Sequence, residues 1–220
     1  GLTDDAAVAA AAGLPVRWIM GEEGNVKITH PEDLAAVEQR LAAEARSAGA
    51  RAWRTGFGYD VHRLVPGRPL VLGGITIPFE LGLLGHSDAD VALHALTDAI
   101  LGTIAAGDIG VHFPPSDPRW EGAASDRFLA HAVQLLGEAG GVVEHVDLTV
   151  LAERPKIGPY RDAMRTRLSG ILGLPVTRIS VKATTTEGLG YTGRGEGIAA
   201  QAVATASFAV DAAGETTGSG

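Results

Sequence analysis

A carboxylate and an imidazole stand two residues apart in the run Gly58, Tyr59, Asp60, Val61, His62, and that spacing is the period of a β-strand. Asp60 and His62 therefore share one strand face and can converge on one ion. His94 offers a third ligand, four residues after Asp90 on the same face of a run with helical spacing. One carboxylate oxygen and two imidazole nitrogens suit Zn²⁺ with a fourth position open to substrate, the arrangement of catalytic rather than structural zinc. The same three residues also suit an ion-paired aspartate and a histidine satisfied within a core.

His86 and Ser87 stand where helical spacing begins, and Asp90 follows Ser87 in a capping-box-like pattern. The unpaired N–H groups of a helix start favour an anion such as phosphate. Capping alone explains Ser87 but does not require a histidine at 86. In residues 182–197, Thr184, Thr185 and Thr186 precede Glu187, and a glycine-rich loop carries Tyr191, Arg194 and Glu196. Hydroxyls and backbone N–H groups at a strand end can hold phosphate, and Glu187 can give an oxygen to Mg²⁺. A threonine-rich strand running into a loop is the plainer alternative. Residues 151–159 lead from a strand to a helix through Pro155, Lys156 and Gly158, either exposing backbone groups to a nucleobase or serving as a connection.

These groups need a scaffold, and the periodicity supplies one. Phe57, Tyr59 and Val61 alternate with Gly58, Asp60 and His62, which predicts a strand from Thr55 with the aromatic and aliphatic side chains on its one buried face. Leu70–Leu72 and Ile75–Ile77 flank Gly73 and Gly74, a hairpin signal ended by Pro78. A helix capped at Ser87 carries Val91, Leu93, Ala95, Leu96, Ala99, Ile100 and Ile104 and stops at Gly107. A second helix runs from a Ser125 cap to Gly140, followed by a strand over 146–152, a helix over 159–172, a strand over 179–183 and a strand within 197–210. Upstream, the spacing predicts a helix over 3–12, a short strand at Val16–Ile19, and a helix capped at Thr29 or His30 and running to Arg46. The fold class is α+β, a mixed sheet packed on one layer of helices. Residues 47–54, rich in Ala, Gly and Arg, read as a linker between a 1–46 segment and a 55–210 domain, and residues 211–220 as a disordered tail.

Composition bounds the partners. With 220 residues, 45% of them hydrophobic, the chain can bury a core. Its 18 Lys and Arg against 26 Asp and Glu give a net charge of −8, so nucleic acid is not an expected partner. Small phosphorylated ligands are compatible, because a few local groups hold them. The absence of cysteine removes disulfides, thiolate ligands and a cysteine nucleophile. No apolar run reaches the ~18 residues of a membrane span and no signal peptide is read, so no membrane partner is expected.

The blocks GFGYDVHRL, LLGHSDADVALHALTDAILG, GDIGVHFPPSDP, ERPKIGPY and KATTTEGLGYTGRGEG follow in order, and with them residues 55–210 closely resemble the 2-C-methyl-D-erythritol 2,4-cyclodiphosphate synthase family. The resemblance implies a cytoplasmic bacterial homotrimer of α+β subunits, with active sites between neighbouring subunits, in non-mevalonate isoprenoid synthesis. It implies that Asp60, His62 and His94 bind Zn²⁺, and that Glu187 binds a Mg²⁺ or Mn²⁺ bridging the substrate diphosphate. His86 and Thr185 match transition-state-stabilising positions, and His86 and Ser87 match a phosphate-contacting pair. The substrate also meets Asp60, Val61 and His62. Asp108, Ile109, Gly110, Phe113, Pro114, Pro115, Ser116 and Asp117 match segments around the methylerythritol portion. Ala152, Glu153, Arg154, Pro155, Lys156, Ile157 and Gly158, with Thr184, Thr185 and Thr186, match those around the cytidine and its phosphates. Tyr191 and Arg194 match positions completing the substrate surface toward the trimer axis, Tyr191 replacing a phenylalanine common there. The implied reaction is intramolecular: the 2-phosphate of 4-diphosphocytidyl-2-C-methyl-D-erythritol 2-phosphate attacks the β-phosphorus and CMP leaves.

Upstream, TDDAAVAAAAGLPV and GNVKITHPEDLAAVEQ resemble the carboxyl-terminal end of the 2-C-methyl-D-erythritol 4-phosphate cytidylyltransferase family, with Lys27 at a substrate-positioning lysine. That family's glycine-rich nucleotide loop is not in these residues, so transferase activity is not expected of them. The resemblance, with Gly1 as first residue, implies the end of a bifunctional parent, transferase first and synthase second. A metal-dependent phosphohydrolase and a non-catalytic trimeric scaffold are the competing classes: product identity separates the hydrolase, and retention of all five blocks argues against the scaffold.

Overall fold

The computed structural model describes residues 5–17, 28–47 and 49–210, with backbone alone for 42–47. It divides into units spanning residues 1–48 and 49–220. In the first, α1 (Asp5–Ala11) and α2 (Pro31–Ser47) are the two expected helices. Pro31 opens α2, and the Asp33 carboxylate reaches back to accept the N–H groups of Thr29 (2.9 Å) and His30 (2.8 Å), the third-position half of a capping box. Leu34 and Leu41 of α2 are exposed. Val16 and Arg17 form no strand, and the rest of the Val16–Ile19 expectation, Lys27 and residues 211–220 lie outside the described residues.

The second unit is built on β1 (Arg51–Pro66), β4 (Leu81–Leu83), β5 (Gly141–Leu151), β6 (Ile179–Thr184) and β7 (Gly197–Ala209), in spatial order β4-β1-β7-β5-β6. Neighbours are antiparallel except β5 and β6, which are parallel and joined by a crossover through α6 (Arg161–Leu172). Hairpin β2 (Leu70–Leu72) and β3 (Ile75–Ile77) turns at Gly73 and Gly74, both at positive φ as the sequence predicts. Helices α3 (Val91–Thr103), α5 (Asp126–Glu138) and α6 form one layer. The α+β mixed sheet with helices is thus the observed architecture. Among the described residues no helix is long and apolar enough to cross a membrane.

Two expectations are corrected on β1. Residues Arg51–Arg54 of the expected linker are strand, paired with Ala206–Ala209 of β7. The buried face is also the opposite one: Phe57 (61% exposed), Tyr59 and Val61 lie open, with Trp53 in the same row, while Gly56, Gly58, Asp60 and His62 turn toward α3. The physical reason is contact distance. A Cβ at Gly56 would sit 2.0 Å from the Ala99 carbonyl oxygen, and one at Gly58 1.9 Å from that of Ala95. With Ala200, Ala202, Ala204 and Ala206 beside them on β7, the glycines let α3 lie directly on the sheet. The helix accordingly buries every side: Val91, Leu93, Leu96, Ile100 and Leu101 are at most 1% exposed.

The start of α3 is corrected too. Its N-cap is Asp90, not Ser87: the carboxylate accepts Ala92 N and Leu93 N (3.1 Å each), and also Gly73 N (2.9 Å) and Gly74 N (2.7 Å) of the hairpin turn. A buried carboxylate with four backbone donors ties hairpin to helix, and it leaves His86 and Ser87 outside the first turn. Among the described residues, short elements that the periodicity does not predict include β4, α4 (Ile109–His112) and α7 (Gly190–Gly193).

Candidate metal centre and substrate pocket

β1 delivers Asp60 and His62, fixed by pairing with Ala200 and Ile198 of β7, and α3 delivers His94 across the Gly58 contact. Three potential ligand atoms form a small triangle: Asp60 Oδ2 lies 2.9 Å from His94 Nδ1 and 3.1 Å from His62 Nε2, and the two nitrogens are 3.1 Å apart. Ligand bonds of about 2.05 Å in a tetrahedron give an edge of about 3.3 Å, so the donor set fits a small divalent ion. Burial works to raise the Asp60 pKa, but hydrogen bonds and charge from His62 and His94 outweigh it and hold the carboxyl well below the usual range. The group is an anion at neutral pH, as a ligand must be. Gly85 makes room for the site, since a Cβ there would meet His62 Cε1 at 3.2 Å and the Ala89 side chain at 2.8 Å.

The triangle opens into a cavity of about 220 Å³. His86 and Ser87 line it, as do Ile109, Gly110, Phe113 and Pro115 of the segments expected at the methylerythritol portion. Trp120, Phe128 and Asp98 complete the lining and were not anticipated. Phe113 stacks on Phe128 (4.4 Å between centroids) and meets Trp120 edge-on at 5.0 Å, giving the cavity one aromatic wall. Burial pushes the Asp98 pKa up, while its Oδ1 accepts Ile109 N at 2.8 Å and so anchors α4 beneath the pocket. Asp108 caps α4 through Val111 N (3.0 Å), and Asp117 is held by Arg119 (2.6 Å). Neither carboxylate lines the cavity, nor do Pro114 and Ser116.

A second group gathers at the far end of the sheet. Ala152 N donates to Thr184 O (3.0 Å), and Glu153 Oε1 accepts Thr186 N (3.0 Å) and Gly188 N (3.3 Å), so residues 152–153 and the threonine loop are bound together. The loop turns through Glu187 at φ 52, and the Thr185 hydroxyl donates to Glu187 Oε1 at 2.7 Å. Ile157 and Gly158 line a separate cavity with Lys182 and Ala183. Lys156 is exposed, and Arg154 pairs instead with Glu80 at 3.6 Å beside Phe79. Arg194 is held by Glu196 at 2.7 Å. Tyr191 of α7 and Tyr59 on the open face of β1 share a short hydrogen bond that, with burial, pushes the Tyr59 pKa up to about 12. None of residues 152–158 or 184–187 lines the cavity at the metal centre. The strand register explains why: Asp60, Ala200, Val150 and Ala183 stand in one row across four strands, three spacings or roughly 14 Å.

Known proteins place this geometry. The chain is 56% identical over 205 residues to a protein of Maricaulis maris named bifunctional enzyme IspD/IspF, a match covering 93% of this chain and 52% of that protein. A protein of Paramagnetospirillum magneticum with the same name is 58% identical over 204 residues, covering 92% and 52%. The chain thus spans about half the length of these relatives. A solved 2C-methyl-D-erythritol-2,4-cyclodiphosphate synthase superposes at a TM-score of 0.64 with 46% identity, over 69% of this chain and 98% of that one. The bifunctional IspDF of Campylobacter jejuni superposes at 0.70 with 37% identity, over 96% of this chain and 55% of that one. The YgbB family model matches residues 53–207, the stretch that carries both the metal triangle and the threonine loop, and the chain belongs to that family.

Proposed function

We propose that the chain converts 4-diphosphocytidyl-2-C-methyl-D-erythritol 2-phosphate to 2-C-methyl-D-erythritol 2,4-cyclodiphosphate and CMP, as a cytoplasmic homotrimer with active sites shared between neighbours. The observation that carries this reading is the Asp60, His62 and His94 triangle opening into a pocket with one aromatic wall, in a chain 46% identical to a solved synthase of that name. Nucleophile and leaving group both belong to the substrate, so the protein's work is positioning and charge neutralisation. Asp60, His62 and His94 would hold a Zn²⁺ and Glu187 a Mg²⁺ or Mn²⁺, ions that when bound would supply Lewis-acid chemistry and charge neutralisation toward the substrate phosphates. The wall of Phe113, Trp120 and Phe128 holds the carbon skeleton and excludes water. His86 and Ser87 bind the phosphate entering that pocket. Thr185 steadies the transferring phosphoryl group, and the 152–158 segment with Thr184 and Thr186 receives the cytidine end.

Sharing between copies is supported by the distance within one. Ala183, at the strand end that leads into the threonine loop, stands roughly 14 Å from Asp60, and none of Thr184–Glu187 lines the cavity at the metal centre of the same copy. A second support is the open row of Trp53, Phe57, Tyr59 and Val61, an apolar surface suited to burial against another copy. The parent protein is bifunctional in this reading: residues 1–46 end an upstream cytidylyltransferase domain, and the synthase domain starts with β1.

Complementation tests the reading. Asp60→Ala should lose metal and CMP release, and Glu187→Ala should release little CMP. Coexpressed, the two variants form mixed trimers in which about a quarter of sites pair an intact metal half with an intact threonine loop, and CMP release should return to about that fraction of the unmodified rate. Folded trimeric mixtures with no recovery would remove the shared site, and full zinc content with normal turnover in Asp60→Ala would remove the metal role.

A further inference from the structure

Ser125 precedes α5, where a serine hydroxyl ordinarily accepts a first-turn N–H, yet it makes no such bond and is fully buried. Its Oγ lies 2.8 Å from His94 Nε2 and donates to Asp88 Oδ1 in a short hydrogen bond, while Asp88 Oδ2 accepts Ser125 N at 3.0 Å. We propose that Asp88 and Ser125 are positioning residues of the metal centre, a carboxylate–hydroxyl–imidazole chain that fixes the tautomer and ring plane of His94.

The polarity of the chain follows from donor counting. His94 Nδ1 faces Asp60 Oδ2 and His62 Nε2, so it must present a lone pair to an ion there, and the ring proton then belongs on Nε2. That N–H donates to Ser125 Oγ, whose single proton goes on to Asp88. Asp88 Oδ1 accepts from the Ser125 hydroxyl and so ends the chain in one direction. Ser87 Oγ stands at 3.2 Å from the same Nε2, a longer contact, and accepts Ala89 N at 3.1 Å. With Ser125 accepting the His94 N–H, the Ser87 hydroxyl is left to donate to an anion in the cavity. Asp88 is itself held, its N–H donating to Ala123 O (3.0 Å) and its Oδ1 accepting Asp90 N (3.1 Å). Such partners behind a ligating imidazole set its orientation and basicity.

The inference rests on the metal-centre reading, and the test separates the two. Zn²⁺ affinity is measured by chelator competition, and the ligand field by absorption of the Co²⁺ form, for the unmodified chain, Ser125→Ala, Asp88→Asn and Asp60→Ala. Ser125→Ala and Asp88→Asn should each weaken Zn²⁺ binding about 10- to 100-fold and alter the Co²⁺ bands. Unmodified affinity and bands in either folded variant overturn the chain, provided Asp60→Ala has lost the metal; metal retained by Asp60→Ala overturns the centre itself. If neither relay variant folds, ¹⁵N NMR of the unmodified zinc-loaded protein decides: a proton on His94 Nε2 is expected, and one on Nδ1 contradicts the proposal.

Discussion

Replacing Gly58 with alanine tests whether the strand-to-helix contact sets the metal triangle. The new Cβ would lie 1.9 Å from the Ala95 carbonyl oxygen and 2.9 Å from Ala99 N, both backbone atoms that cannot swing aside. Restoring an ordinary carbon–oxygen contact of about 3.3 Å requires β1 and α3 to part by about 1.4 Å. His94 rides on α3 next to Ala95, while Asp60 and His62 ride on β1. Their edges of 2.9 and 3.1 Å would open past about 4 Å, beyond the edge of about 3.3 Å that tetrahedral zinc needs. Zn²⁺ affinity should fall by about 100-fold or more, and overpacking should lower stability by about 3 kcal/mol, a melting shift of about 6–12 °C. Gly102→Ala is the control on the same interface: its Cβ would stand 3.5 Å from Gly56 Cα, an ordinary contact, so affinity should hold and stability change by less than about 1 kcal/mol. Chelator competition and apo-protein melting read both quantities. Unmodified affinity and melting in Gly58→Ala would refute the claim that these glycines position the site.

Two other perturbations probe the frame. Tyr59 has its pKa raised from 10.0 to about 12, so the folded state favours its neutral form; that contribution is whole below pH 10 and lost as pH rises through about 12. Titration of phenolate absorbance should show this late step, and Tyr191→Phe, which removes the leading cause, should move it toward 10.0; an unmoved step contradicts the assignment. Asp90→Ala strips one acceptor from four backbone donors and should lower unfolding free energy by about 3–4 kcal/mol in denaturant titration, with Asp90→Asn losing less because its amide oxygen still accepts. A loss below about 1 kcal/mol in Asp90→Ala would show that the hairpin-to-helix tie is not energetically significant.

Much of the candidate site was legible because its signals are local. The two-residue spacing of Asp60 and His62 survives in any strand, and a histidine on a helix crossing that strand completes the triangle whichever way the strand faces. The twin-glycine hairpin was legible for the same reason. The orientation of β1 was not, because hydropathy weighs side chains and the buried face there starts with glycines, whose role is to lack them. Ser125 misled similarly: its position beside a helix start suggested a cap, but Asp88, distant in sequence, captures the hydroxyl. Asp90 outcompeted Ser87 as a cap because the hairpin turn brings two further N–H groups to it. β4, of three residues, is too short for any period to register. Separation of the metal triangle from the threonine loop is a property of strand order, set by long-range pairing.

A site that closes a ring on its own substrate is distinguished from a hydrolase by its product. The chain would be incubated with 4-diphosphocytidyl-2-C-methyl-D-erythritol 2-phosphate, Zn²⁺ and Mg²⁺, with CMP followed by chromatography and the other product by ³¹P NMR. CMP is expected together with a cyclic diphosphate showing two coupled phosphorus signals. CMP with an open-chain bisphosphate would make water the nucleophile and the chain a hydrolase, and no turnover from folded, metal-loaded protein would contradict catalysis altogether.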